Sequence, residues 1–175
     1  MKSSVIVFPG SNCDRDIAVS LEKVAKIKPV MVWHKETNLP NCDLVVVPGG
    51  FTFGDYLRCG SIAANSPIMK DIKKEAIRGM PTLGVCNGFQ ILAESGLLPG
   101  TLIKNNCLSF LCKTVSLKVN NCNTKFSNKY SRNEIINIPI AHNEGNFFAN
   151  DDTLKEIVDG DQIVFKYCDL EGNTD

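Results

Sequence analysis

Short continuous apolar runs alternate with amphipathic segments along the first half of the chain. The runs lie at residues 5–8, 30–33, 44–47 and 83–85. Apolar residues after the first run recur at helical spacing, at Ile17, Ala18, Leu21, Val24 and Ala25, and they predict the core-facing side of a helix. Strands that are apolar throughout and separated by helices are typical of a parallel sheet covered on both faces. The pattern therefore predicts an α/β fold with a doubly wound, mostly parallel sheet.

A different pattern follows in the second half of the chain. Apolar and polar residues alternate over residues 115–119, which predicts antiparallel strands and hence a β insertion after the fourth run and its helix. We expect a short helix over residues 151–158, capped by Asp151 or Asp152. Residues 163–168 are predicted to form a strand that leads into a hairpin-type turn.

Composition and charge exclude several classes of protein. The 175 residues are 43% hydrophobic, which suits a single domain over residues 1–175. Nineteen basic residues balance nineteen acidic ones, so we expect no nucleic-acid partner. The first apolar stretch is too short for a signal peptide or a membrane span. The eight cysteines form no Cys-x-x-Cys pair and only two histidines accompany them, so we expect no metal site, no disulfide framework and a cytoplasmic location.

The segment Gly84-Val85-Cys86-Asn87-Gly88 joins the fourth apolar run to a helix-like stretch. It is the cysteine counterpart of the nucleophile elbow, a sharp turn from a strand into a helix. The two glycines would let strand and helix approach each other closely. The helix N-terminus would supply partial positive charge and free N–H groups, which favour a thiolate and can stabilise an oxyanion. The alternative is a structural cysteine buried at the end of a strand.

Glycine-bearing loops also follow the first and third predicted strands, at residues 8–14 and 48–60. Folds of this class bind ligands at the carboxyl ends of their strands, so we expect these loops and the elbow to meet at one rim. Gly49 and Gly50 could bring bare backbone N–H groups to a substrate, as the second half of an oxyanion hole requires. A Pro-Gly-Gly sequence also forms ordinary tight turns. Neither glycine run matches a phosphate-binding motif.

Several motifs in one order resemble the class I glutamine amidotransferases. They lie at residues 48–51, 54–60 and 84–90, and read Pro-Gly-Gly-Phe, Gly-Asp-Tyr-Leu-Arg-Cys-Gly and Gly-Val-Cys-Asn-Gly-Phe-Gln. Segments 8–14 and 139–145 resemble, more narrowly, the glutaminase subunits of phosphoribosylformylglycinamidine synthases. The resemblance implies a flavodoxin-like sheet of the class I amidotransferase type.

The resemblance also implies a chemistry. Cys86 would attack the side-chain amide of glutamine and form a thioester with release of ammonia. The N–H groups of Gly50 and Asn87 would hold the oxyanion. Gln90 and Arg58 are candidates for substrate binding, Arg58 for the glutamine carboxylate or a partner subunit. A helix-capping glutamine and an exposed arginine are the ordinary alternatives.

Partners and cofactors follow from the same resemblance. Ammonia would pass to a synthetase subunit that converts formylglycinamide ribonucleotide to formylglycinamidine ribonucleotide in de novo purine biosynthesis. A small accessory subunit would complete the multisubunit complex. We expect no cofactor in this subunit, with ATP and Mg²⁺ bound by the synthetase.

Class I amidotransferases use a Cys-His-Glu catalytic triad, and this chain departs from the family at the histidine and the glutamate. Class I enzymes supply them from a late His-x-Glu pair, whereas this sequence reaches Asp175 without one. We therefore expect the C-terminal part of the domain to be missing, turnover to be poor and the last strand to present an exposed edge. His142 and Glu144 have this spacing but match an earlier family segment, so we do not expect His142 to be the catalytic base. His34 is expected to be a structural or surface residue.

Two other functional classes remain open. One is a stand-alone cysteine hydrolase of similar fold, which should carry its histidine beside Cys86. The other is a non-catalytic, amidotransferase-like subunit whose role is to bind a synthetase. Labelling by a glutamine-mimicking electrophile would separate a glutaminase from the second class.

Overall fold

The structure, a computed structural model, describes residues 1–174. The chain divides into two compact units, Met1–Thr101 and Leu102–Asp175. Asp175, the last residue of the second unit, lies outside the described residues. The single amidotransferase domain over residues 1–175, with its C-terminal part missing, stays a prediction. Across residues 1–174, none of the helices combines the length and the apolar character needed to cross a membrane.

A four-stranded parallel sheet forms the centre of the first unit. Its strands are β1 (Ser3–Val7), β2 (Val30–Trp33), β3 (Leu44–Val47) and β4 (Thr82–Gly84). The order β2-β1-β3-β4, with every neighbouring pair parallel, is doubly wound because the strand order reverses beside β1. The predicted sheet is confirmed, and β2 and β3 have the bounds of the apolar runs.

Helices connect these strands. They are α1 (Asp14–Ala25), α2 (Pro67–Ile77) and α3 (Asn87–Glu94), with 3-10 turns at Thr52–Asp55 and Ala63–Asn65. α2 has Ser66 as its N-cap residue and begins at Pro67, and it buries Ile68, Met69 and Ile72. α1 contains no fully buried residue, and Val24 is 81% exposed. The prediction of a core position at Val24 is therefore wrong, because helical spacing defines an apolar face without showing how far the neighbouring elements cover it.

The core of the first unit lies around the two central strands. Val45, Val46 and Val47 of β3 are completely buried, as are Val5 and Ile6 of β1. Strands covered on both faces have no solvent-facing positions, which is why they lack the alternation of a half-exposed strand. This rigid sheet fixes the strand ends from which the candidate site is built.

The second unit is mainly antiparallel. It contains β5 (Thr101–Ile103), which starts at the last residue of the first unit, and β6 (Leu111–Val119), β7 (Ile135–His142), β8 (Asn146–Phe148), α4 (Asp151–Asp159) and β9 (Phe165–Cys168). One sheet has the order β7-β6-β9 and a smaller one pairs β5 with β8. Both neighbours of β6 run antiparallel to it, which confirms the predicted β insertion.

Two local features of the second unit depend on side chains. Pro139 lies within β7 opposite Thr114, which is possible because β7 is an edge strand of its sheet. The N-cap of α4 is Asn150, whose side-chain oxygen accepts a hydrogen bond from the Thr153 N–H at 2.8 Å. The prediction of Asp151 or Asp152 as the cap is wrong, because both residues already belong to the first helical turn.

Candidate active site

Cys86 lies between the end of β4 and the first residue of α3. Its backbone has φ 52° and ψ −113°, a conformation that is strained for a residue with a side chain. Its side chain is exposed, and its sulfur is free of any disulfide. The alternative of a structural cysteine buried at a strand end is therefore wrong, and the strained turn points the residue out of the core, as a nucleophile elbow requires.

The two glycines of the elbow are explained by close backbone packing. A Cβ on Gly84 would lie 2.7 Å from the Gly88 carbonyl oxygen, and a Cβ on Gly88 would collide with the Val47 carbonyl oxygen. The backbone of α3 is therefore in direct contact with the backbones of β4 and β3 at these two glycines. The packing reason inferred from the sequence is confirmed.

The loops after β1 and β3 meet beside the elbow. The Phe51 N–H donates to the Gly10 carbonyl at 2.9 Å, and the Cys13 N–H lies 3.4 Å from the Gly49 carbonyl. A Cβ placed on Gly49 would be 3.3 Å from the Cβ of Cys86. The predicted convergence of the three loops is confirmed.

Two backbone amides of this rim, those of Gly50 and Asn87, are the predicted donors to an oxyanion. Gly50 has φ +137°, and a Cβ there would lie 2.7 Å from the Asn12 nitrogen, so only glycine fits. Asn87 is the first residue of α3, and its N–H has no intrahelical partner. Within residues 1–174, neither amide N–H donates a hydrogen bond to the protein. Their role in an oxyanion hole stays a prediction.

The side chain of Asn87 carries contacts that the sequence did not reveal. It is 1% exposed, and its Oδ1 accepts hydrogen bonds from the N–H of Thr52 at 3.1 Å and from its hydroxyl at 2.7 Å. Its Nδ2 donates to Asp55 Oδ1 at 3.1 Å and to Gln90 Oε1 at 2.8 Å. The elbow is thereby bonded to the loop that contains Gly50. No local pattern signals the contacts with this loop, because Thr52 and Asp55 lie more than thirty residues from Asn87.

Gln90 and Arg58 occupy different environments. Gln90 is buried, and its Oε1 accepts the hydrogen bond from Asn87. The Arg58 side chain is 63% exposed, and its Nη2 lies 2.6 Å from Glu94 Oε2. Contacts of either residue with a substrate stay predictions.

A second cysteine lies close to the first. The Cβ atoms of Cys13 and Cys86 both approach the same face of Gly49. Burial raises the pKa of the Cys13 thiol, and the negative charges of Asp16, of the Cys86 thiolate and of Asp14 raise that pKa further. The Cys13 thiol therefore holds its proton more firmly than an isolated thiol does.

The two histidines are both held by hydrogen bonds. His34 is buried, its Nδ1 is 3.2 Å from the Ser66 hydroxyl, and its ring packs edge-on against Phe53. Burial lowers the pKa of His34, and the charge of Lys35 lowers it further. Of the two roles expected for His34, the structural one is confirmed and the surface one is wrong.

His142 belongs to the second unit, at the end of β7. Its Nδ1 is 2.9 Å from Asn105 Oδ1, which also accepts a hydrogen bond from the Gly145 N–H. Asn105 Oδ1 can only accept, so Nδ1 of the neutral ring carries the proton. The other nitrogen, Nε2, is buried without a hydrogen-bond partner among residues 1–174. Over the same part of the chain, no three His, Cys, Asp or Glu side chains group together as metal ligands would.

The comparisons with known proteins agree with this geometry. The family described as CobB/CobQ-like glutamine amidotransferase domain matches residues 1–175. The chain belongs to this family. Its fold is the class I glutamine amidotransferase fold.

Individual members of the amidotransferase family match over almost the whole chain. The phosphoribosylformylglycinamidine synthase subunit PurQ of Zymomonas mobilis is 51% identical over 170 residues, which are 97% of this chain and 77% of that protein. The PurQ subunit of Bradyrhizobium diazoefficiens is 49% identical over 176 residues, covering 100% of this chain and 76% of its own length. The structure of PurLQS from Thermotoga maritima contains a chain that is 40% identical, with a TM-score of 0.85 over 96% of this chain and 74% of that one.

Proposed function

We propose that this chain is the glutaminase subunit of a phosphoribosylformylglycinamidine synthase. The proposal rests on the exposed thiol of Cys86, which lies on a strained strand-to-helix turn. At the same rim, two amide N–H groups donate no hydrogen bond within residues 1–174. The identities of 49–51% to PurQ subunits, over nearly all of the chain, support this substrate class over other hydrolases that contain a nucleophile elbow.

The proposed reaction splits glutamine in two steps. The sulfur of Cys86 forms a bond to the side-chain amide carbon of glutamine, the C–N bond breaks, and the thiol proton leaves with the nitrogen as ammonia. Water then attacks the thioester, the C–S bond breaks, and glutamate leaves as the thiol is restored. The N–H groups of Gly50 and Asn87 stabilise the oxyanion of both tetrahedral intermediates.

Neither histidine of this sequence is assigned as the base in this proposal. His34 is buried in an aromatic cluster, and Asn105 holds the protonated nitrogen of His142. In class I enzymes a late His-x-Glu pair performs the proton transfer. Activity is best measured on the protein in complex with its synthetase.

The remaining parts of the proposal concern the complex. Ammonia passes to a synthetase subunit, which binds ATP and Mg²⁺ and amidates formylglycinamide ribonucleotide, with a small accessory subunit in the same assembly. The glutaminase subunit itself uses no cofactor and works in the cytoplasm. The PurLQS structure from Thermotoga maritima, which includes a similar chain, supports this assembly.

The test compares the wild type with Cys86→Ala, both reconstituted with the synthetase. We expect Cys86→Ala to abolish glutamine-dependent synthesis, because the nucleophile is lost, and to leave ammonia-dependent synthesis intact. Diazo-oxo-norleucine should label the wild type at Cys86 alone, as read by peptide mass spectrometry.

A matched control is Cys107→Ala, since Cys107 is also free and exposed but lies in the second unit. Its labelling and turnover should equal those of the wild type. Absence of labelling at Cys86 would favour the non-catalytic binding subunit, and ester or peptide turnover without glutaminase activity would favour the stand-alone hydrolase.

A further inference from the structure

The side chain of Asn87 fastens the elbow to the loop that carries Gly50. We propose that Asn87 and Thr52 are positioning residues, which hold the two oxyanion donors at a fixed separation through the Asn87 carboxamide. This inference rests on the proposed glutaminase reaction and deepens it, because it gives the side chain of Asn87 a role beside that of its backbone N–H.

The orientation of the Asn87 carboxamide is fixed by its neighbours. The Thr52 backbone N–H can only donate, so the atom 3.1 Å from it must be the carboxamide oxygen. The nitrogen then faces Asp55 and Gln90, whose oxygens accept from it.

All of the hydrogen-bonding capacity of the carboxamide is used. A carboxamide oxygen has two lone pairs and the nitrogen two hydrogens, and Asn87 makes two bonds with each atom. Because the side chain is 1% exposed, water cannot replace a lost bond without entering the core. A shorter, longer or charged side chain would leave at least one buried partner unsatisfied.

Few residues separate the Thr52–Asn87 hydrogen bonds from the two oxyanion donors. Thr52 is two residues from Gly50 in the loop, and the Asn87 carboxamide belongs to the same residue as the second donor N–H. The two bonds from Thr52 to Asn87 therefore join the two donors directly across the rim. Two residues of that loop, Phe53 at φ 54° and Asp55 at φ 54°, have strained backbones that need such tethering. A displacement of about 1 Å in such a site can cost about 10²-fold in rate.

The experiment uses the complex with its synthetase and four variants. Asn87→Leu keeps the branched shape and removes all four hydrogen bonds without adding a charge. Thr52→Val keeps the shape and the backbone N–H but removes the hydroxyl, and Thr52→Ser restores a hydroxyl. Asn38→Asp is the surface control, since Asn38 is exposed and, among residues 1–174, its side chain bonds only its neighbour Thr37.

We expect kcat for glutamine hydrolysis to fall roughly 100-fold in Asn87→Leu and roughly 10-fold in Thr52→Val, with KM within about twofold of the wild type. Thr52→Ser should recover most of the loss, and Asn38→Asp should equal the wild type. KM should be nearly unchanged because the oxyanion exists only in the transition state and the intermediates, not in the bound substrate.

A second readout separates positioning from general loosening of the site. Iodoacetamide alkylates a thiolate by displacement at carbon and forms no oxyanion, so its rate at Cys86 should be the same in all variants. Parallel losses of alkylation and turnover would overturn the proposal, as would full turnover in Asn87→Leu and Thr52→Val. If the wild type itself neither hydrolyses glutamine nor is labelled at Cys86, the proposed function fails instead.

Discussion

Each of the two units contains one buried asparagine whose carboxamide makes four hydrogen bonds. Asn87 of the first unit is 1% exposed and Asn105 of the second is 3% exposed. Three of the four partner groups of Asn87 are side chains. Three of the four partner groups of Asn105 are backbone groups, of Ser109, His142 and Gly145.

This difference separates two uses of the same residue type. The Asn105 carboxamide satisfies backbone groups where the chain between β5 and β6 meets the end of β7, a task that hydrogen bonds of secondary structure perform elsewhere. Mutation of the partner residues would leave these backbone groups in place. Side-chain partners can change one at a time, so the contacts of Asn87 can adjust the geometry next to Cys86 without rebuilding a loop. We therefore expect changes around Asn105 to affect mainly folding, and changes at the Asn87 carboxamide to affect mainly turnover.

The largest expected effect on stability is at the glycine next to Asn87. In Gly88→Ala the new Cβ collides with the Val47 carbonyl, which belongs to a central strand and cannot move aside. We expect a loss of about 3 kcal/mol or more in the free energy of unfolding, measured by chemical denaturation. In Gly145→Ala the Cβ meets the His142 ring, a side chain that can move aside by giving up its hydrogen bond to Asn105, and the loss should be smaller, about 1–2 kcal/mol. Equal losses would contradict the contrast.

An intermediate effect is expected at the second asparagine. Asn105→Leu leaves the Ser109 and His142 carbonyls and the Gly145 N–H without their partner. We expect the free energy of unfolding to fall by about 2 kcal/mol. The neighbouring Asn106, whose bond to Asn146 is exposed, offers the control. Asn106→Leu should cost less than about 0.5 kcal/mol, and a similar cost for both variants would show that Asn105 holds no loop in place.

The smallest effect is a pH dependence in the first unit. Burial and Lys35 lower the pKa of His34 in the folded chain, whereas the unfolded chain titrates near its ordinary value of about 6.5. The unfolded state therefore binds the proton more readily, so this contribution to stability is fully present above about pH 6.5 and is lost as the pH falls towards the folded pKa. Thermal denaturation over pH 5–8 should show a shallower slope for His34→Gln than for the wild type. Lys35→Gln should change the slope less, because burial is the larger cause, and an unchanged slope in His34→Gln would contradict this account.

Much of the fold could be predicted from the sequence. The apolar runs at 30–33 and 44–47 are β2 and β3, and the Gly-x-Cys-x-Gly segment is a strained strand-to-helix turn. These features are local, because a strand buried on both faces must be apolar throughout and a tight turn against a helix must have glycines.

The failed predictions share a cause. Val24 has helical spacing, yet it is exposed because, within residues 1–174, no other element covers that part of α1. Asp151 and Asp152 are good capping residues, yet Asn150 caps α4 because the chain enters the helix one residue earlier. In each case several residues were compatible with the local pattern, and the position of the surrounding chain selected one of them.

The sequence by itself determined the parallel sheet, the position of Cys86 and the glycines around it, because each follows from the periodicity or the size of neighbouring residues. Only the tertiary structure decided that the Asn87 carboxamide bonds Thr52 and Asp55, and that Asn105 holds His142 and Gly145. Hydrogen bonds between residues more than thirty positions apart depend on where loops come together. That arrangement is set by the packing of the whole unit and leaves no period or spacing in the sequence.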